Sequence, residues 1–143
     1  MSRNSRRRAR EFAVQGLYQW QLAKLDPRSI AQQLAESKGF EKLDEPYFSA
    51  LLHGTVNGAP ELESDIAPCL DRPLAQLSPV ERGILLLAAY ELRHQLEVPY
   101  RVIINEAVEI AKEYGGTDGH KFVNGVLDKL APRLRAVEAK RSR

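Results

Sequence analysis

Ser78-Pro79-Val80-Glu81-Arg82-Gly83-Ile84-Leu85-Leu86-Leu87-Ala88-Ala89-Tyr90 is the stretch that decides the fold. Its first four residues form a capping box with proline at the first helical position, the strongest helix-start signal in the chain. The apolar run that follows leaves almost no polar face. A helix that is apolar nearly all round is buried on nearly every side, so this one is central.

Working outward, Pro99 separates it from a helix over roughly Tyr100 to Tyr114, with Val102, Ile103, Ala107, Ile110 and Ala111 facing inward. Gly115-Gly116 ends that helix as a flexible C-cap. A last helix starts at Thr117 or Asp118, turns Phe122, Val126, Leu127 and Leu130 to the core, and stops at Pro132. On the other side, Asp44 caps a helix carrying Tyr47, Phe48, Leu51, Leu52 and Val56, which Gly58 and Pro60 bend or divide before Leu62, Ile66 and Leu70. Asp26-Pro27 opens a helix near Arg28 to Ser37, broken at Gly39, and the first helix runs from about Ser5 to Lys24. Period 3.6 recurs from end to end and sustained period-two alternation is absent, so the class is all-α.

The 143 residues correspond to one domain, 1–143, of 43% hydrophobic and 28% charged residues. No apolar run reaches the roughly 18 residues that span a bilayer, and the arginine-rich start has no secretory h-region, so a cytoplasmic protein without membrane contact is expected. Cys69 is the single cysteine and cannot form an internal disulfide. The net charge of +2 conceals an uneven distribution. The ten N-terminal residues hold five arginines and no acid, and residues 133–143 hold five bases against Glu138. The ends therefore carry +9 and the 122 residues between them −7. A basic arm, 1–10, on an acidic body suits a polyanionic partner, whereas the basic, flexible tail, 135–143, is expected chiefly to keep the chain soluble.

Projected at 100° per residue, the first helix gathers Phe12, Ala23, Gly16, Ala9, Trp20, Ala13 and Leu17 on a core arc of about 140°. The opposite arc collects Arg7, Arg10, Tyr18 and Gln21, with Arg3 and Arg6 at its edge. Guanidinium groups neutralise phosphates, and the Tyr18 phenol ring either offers a platform for an unpaired base or lies half-buried against another helix. Clustered like charges at the positive end of a helix dipole are strained, and an anionic partner relieves both effects.

Further on, Gly115-Gly116-Thr117-Asp118-Gly119-His120-Lys121-Phe122 is a glycine-rich entry to a helix N-terminus. It lacks the spacing of a P-loop. Lys121 can contact phosphate, Phe122 can stack on a base or serve the core, and Asp118 can accept from a base amino group. His53, His94 and His120 lie on three helices without ligand spacing, and Glu106, Glu109 and Asp128 are expected to be solvated or paired with Lys112 or Arg101. Neither a metal nor a cofactor is expected, and the residues point to binding rather than catalysis.

Arg6-Arg7-Arg8-Ala9-Arg10-Glu11, Leu17-Tyr18-Gln19-Trp20-Gln21, Val98-Pro99-Tyr100, Asn105-Glu106-Ala107 and His120 through Lys129 together resemble the NusB family of bacterial transcription antitermination factors, from Ser5 to about Leu134. The resemblance implies a compact bundle of about seven helices in two subdomains. It implies an RNA-binding factor that pairs with NusE, a small-subunit ribosomal protein, to bind single-stranded boxA-type RNA of nascent ribosomal RNA transcripts. Other Nus factors and RNA polymerase join the larger complex, and the free chain is a possible homodimer. Residue by residue, Arg6, Arg7, Arg10, Tyr18 and Gln21 match the RNA-binding first helix, Asp118, Lys121 and Phe122 a neighbouring contact region, and Glu81 the NusE-facing side. Cys69 stands where the resemblance implies an aromatic. NusB-like domains also precede RNA cytosine methyltransferases, but these 143 residues hold no α/β cofactor domain, so an enzyme is not expected.

Overall fold

Ser78 caps the central helix as its sequence requires: its Oγ accepts from the Glu81 N–H at 3.1 Å and lies 3.2 Å from the Glu81 carboxylate, to which it donates. In the computed structural model, which describes residues 3–136, this is helix α5, Pro79–His94. The others among the described residues are α1 (Arg3–Ala23), α2 (Pro27–Leu34), α3 (Glu45–Asn57), α4 (Ala59–Ile66), α6 (Tyr100–Tyr114) and α7 (Gly119–Leu134), with short 3-10 turns at Phe40–Lys42, Ala67–Cys69 and Leu74–Gln76. The described chain is all-helical, with seven α-helices and no strand.

Side-chain caps explain the other starts. Asp26 accepts from the Ser29 N–H at 3.0 Å and Asp44 from the Tyr47 N–H at 3.1 Å, each just before a helix with proline in its first two positions. Gly58 divides α3 from α4, as its place in the sequence suggests. Helices α1, α2 and α3 pack on one another, α4, α6 and α7 gather around α5, and α5 also faces α1 and α3. At Gly16 a Cβ would sit 3.0 Å from Leu52 and 3.2 Å from Ile30, so a bare α-carbon lets α1 approach α2 and α3. The two groups share one continuous apolar core in which Leu17, Phe48, Leu85, Leu86, Ile103 and Leu127 are almost wholly buried.

Several expectations change. Val102 is exposed rather than inward, because α6 turns Ile103, Ile104 and Ala107 to the core. Pro132 does not end α7: the helix continues to Leu134, where the Arg135 N–H donates to the Ala131 carbonyl at 2.7 Å. Arg135 is not part of a flexible tail. It is buried, and its guanidinium donates to the carbonyls of Leu92, Glu91, Gln95 and Val98 at 2.6 to 3.1 Å, satisfying the end of α5 with a cation. Residues 137–143 of the expected tail, like residues 1 and 2 of the arm, lie outside the described residues. Cys69 is buried in the core.

Candidate nucleic-acid interface

The arginines of α1 have partners within the fold. Arg6 lies over the Tyr47 ring, 4.2 Å from its centroid, with Nε 3.6 Å from Asp44. Arg7 donates through Nε and Nη2 to both oxygens of Glu106, at 3.0 and 2.6 Å. Arg10 donates through Nε and Nη2 to both oxygens of Glu91, each at 2.9 Å, and Nη1 reaches Glu106 at 3.5 Å. The Tyr47 hydroxyl completes the cluster by donating to Glu91. Hydrogen bonding to Glu106, then its charge, raises the Arg7 pKa. Burial works against the charge on Arg10, but the bonds and charge of Glu91 outweigh it and hold the guanidinium protonated. Burial first, then the Glu91 carboxylate, raises the Tyr47 phenol, which stays a donor.

This corrects the placement of Arg10. It is 4% exposed, so its guanidinium belongs to the interior rather than to a phosphate-facing surface. The helical projection failed because α1 is flanked by both α3 and α5, which narrows its free arc, and because a long side chain can curl onto a buried acid. Glu91 was the signal: a lone acid in an otherwise apolar segment of α5 needs a buried cation. Glu106, expected to be solvated or paired with Lys112 or Arg101, is buried and paired with Arg7 and Arg10. The crowding of positive charge on α1 is therefore relieved in part within the protein. Arg6 and Arg7 remain available at its edge, their side chains 41% and 44% exposed.

Three turns along α1, Tyr18 is exposed on the rim of a groove of about 440 Å³ whose other walls include Val14, Val80 and Tyr114. Gln21 donates to the Pro79 carbonyl at 2.8 Å and to that of Leu17 at 3.2 Å, tying the end of α1 to the first turn of α5. That first turn also meets α7. A Cβ on Gly119 would come within 3.0 Å of Glu81 Oε2, so the absence of a side chain lets the start of α7 dock there. Glu81 thus lies between the two sets of residues expected to bind RNA. Asp118 takes a left-handed conformation, φ 64°, without capping α7 through its side chain; it pairs with exposed Lys121 at 3.3 Å. Phe122 is half-buried against the core, with the Arg72 guanidinium 4.6 Å above its ring.

The structure therefore joins Tyr18 and Gln21 to Asp118, Lys121 and Phe122 through residues 79–81, places Arg6 and Arg7 at the far end of α1, and removes Arg10. At 1.5 Å per residue, Arg6 to Gln21 spans about 22 Å. Sequence reading missed Val80 and Tyr114, whose proximity to Tyr18 is a tertiary fact, and Arg72, which sits in a loop without periodicity. The groove also holds Glu11, whose carboxyl is raised by burial and then by the neighbouring Glu113. Exposed guanidinium and ammonium groups beside aromatic rings can engage phosphates and bases. Among the described residues no cluster of three His, Cys, Asp or Glu could hold a metal ion, and no helix is long and apolar enough to cross a membrane.

Comparison with known proteins agrees over most of the chain. Residues 7–132 match the NusB family. The chain is 63% identical over 129 residues to the transcription antitermination protein NusB of Nitrosospira multiformis, covering 90% of this chain and 82% of that one. It is 55% identical over 142 residues to the NusB of Aromatoleum aromaticum, covering 99% and 98%. Among solved structures it is similar to T. maritima NusB, with a TM-score of 0.83 and 30% identity over 94% of this chain and 96% of that one. It is also similar to a chain in a crystal structure of the antitermination factors NusB and NusE in complex with dsRNA, with a TM-score of 0.80 and 27% identity over 92% and 99%. By sequence and by fold, the chain belongs to the NusB family.

Proposed function

We propose that the chain is an RNA-binding transcription antitermination factor that acts together with NusE. The observation that carries this reading is its likeness, over nearly the whole chain, to a protein solved with NusE and RNA. The surface supports it: half-exposed Arg6 and Arg7, exposed Tyr18, and Lys121 and Phe122 form an edge on which phosphates and bases can be held. Arg10 serves this edge from within by fixing Glu91 and Tyr47 behind it. Gln21 and Glu81 hold its two parts together through the first turn of α5, and the outer side of Glu81 is the proposed NusE contact. Asp118 tunes the end of the edge by accepting from a base amino group.

In this reading the RNA is the single-stranded boxA type of ribosomal RNA transcripts, met in the cytoplasm, and the heterodimer joins other Nus factors on RNA polymerase. The free chain can pair with itself. A titration of labelled boxA-like RNA, a scrambled single strand and a duplex, with the chain alone and with NusE, tests the reading. Tighter, sequence-dependent binding to the boxA strand in the presence of NusE is expected. Equal binding to all three RNAs, indifferent to NusE, overturns it.

A further inference from the structure

We infer that Glu106 is an internal stand-in for an RNA phosphate, which holds Arg7 in the free protein and sets the affinity of the interface. This inference rests on the RNA-binding reading above. Glu106 presents two oxygens to the Nε and Nη2 fork of Arg7, the geometry in which a guanidinium also takes a phosphate. The two partners differ in freedom. The Glu106 side chain is 9% exposed and the Arg7 side chain 44%, so the acid is fixed and the cation can swing outward.

Ordinarily a departing cation would leave a buried carboxylate uncompensated, at a high cost. Here Arg10 lies behind Glu106, its Nη1 3.5 Å from Oε1, while its Nε and Nη2 remain bound to Glu91. Glu106 keeps a cationic neighbour after Arg7 leaves. Arg10 is thus a positioning residue, and Arg7 is the exchangeable one. RNA must outcompete Glu106 for Arg7, so the acid lowers affinity for any polyanion and favours ligands that make further contacts along α1.

The test measures RNA affinity of the complex with NusE for wild type, Glu106→Gln, Glu109→Gln, Arg7→Ala and the Arg7→Ala/Glu106→Gln double variant, with melting temperatures for each. Glu109 lies on the same helix and adds to the field at Arg7, but it pairs with Lys112 at 3.6 Å, so its variant controls for the loss of one negative charge. Glu106→Gln is expected to tighten binding by about two- to five-fold, the range of an ion pair of this exposure. Glu109→Gln is expected to give less, and the gain is expected to vanish without Arg7. A Glu106→Gln complex that keeps its fold and binds RNA no tighter than wild type overturns the inference alone, as does a gain that persists in the double variant. Absence of RNA binding by wild type overturns the parent reading with it.

A second measurement needs no variant. In the wild-type complex, RNA is expected to move the Arg7 Nε–H resonance while that of Arg10 stays in place. An unmoved Arg7 resonance at saturating RNA counts against the exchange.

Discussion

Arg7 and Arg10 are one turn apart on α1, yet their surroundings give them different tasks. Arg10 is enclosed with Glu91, and its removal leaves that carboxylate buried without its main cation. Arg10→Ala is expected to lower unfolding free energy by about 3–5 kcal/mol in denaturant titrations. Arg7 is the exposed half of its pair and Arg10 stays beside Glu106 when it is gone, so Arg7→Ala should cost much less stability than Arg10→Ala while weakening RNA binding. Glu11 makes a prediction of opposite sign. Its folded pKa is raised by burial and then by Glu113, so its contribution to stability is present in acid and lost as pH rises through that folded value. At neutral pH the Glu11 charge opposes folding. Glu11→Gln is expected to raise the melting temperature there, with a gain that shrinks as pH falls and is lost below the ordinary carboxylate range, where Glu11 is protonated in both the folded and the unfolded chain.

Helix ends set the stability of the elements and the geometry of the interface. Ser78 starts α5 at the place where α1 and α7 meet, so Ser78→Ala should cost about 1 kcal/mol in thermal or chemical unfolding and loosen the junction of Gln21 with Pro79. At the other end of α5, Arg135 supplies donors to four carbonyls. Arg135→Ala is expected to destabilise by about 2–3 kcal/mol, because water cannot fully replace those donors beneath the end of α7. The starts of α2, α3 and α5 were legible in the sequence because capping is local: Asp26, Asp44 and Ser78 each act within three residues. The end of α7 was not. Pro132 and Arg135 read as a breaker and a tail, and only the fold brings α5 close enough to make that segment an anchor.

At the scale of the whole molecule, the same division separates what was legible from what was not. The all-helical class and the central place of α5 followed from periodicity and from an apolar run with no polar face. For Tyr18 the sequence leaves a displayed ring and a half-buried one equally open, and in the fold it is 43% exposed. The pairing of Arg10 with Glu91 spans 81 residues, and no local pattern announces it. The net charge of the N-terminal arm therefore overstated its capacity for phosphate, because three acids of the body already face its arginines. Among the described residues, Arg6, Arg7, Lys121 and Arg72 are cations on this edge, the last also paired with Asp71 at 2.9 Å. Four phosphate contacts on a single strand imply a log–log salt slope of roughly −3.

The most direct test is that slope, measured for boxA-like RNA and the complex with NusE in wild type and in Arg7→Ala/Lys121→Ala. If the surface of α1 and α7 binds the strand, the double variant flattens the slope to about −1.5. A slope that is untouched by the double variant would contradict an interface built on this edge.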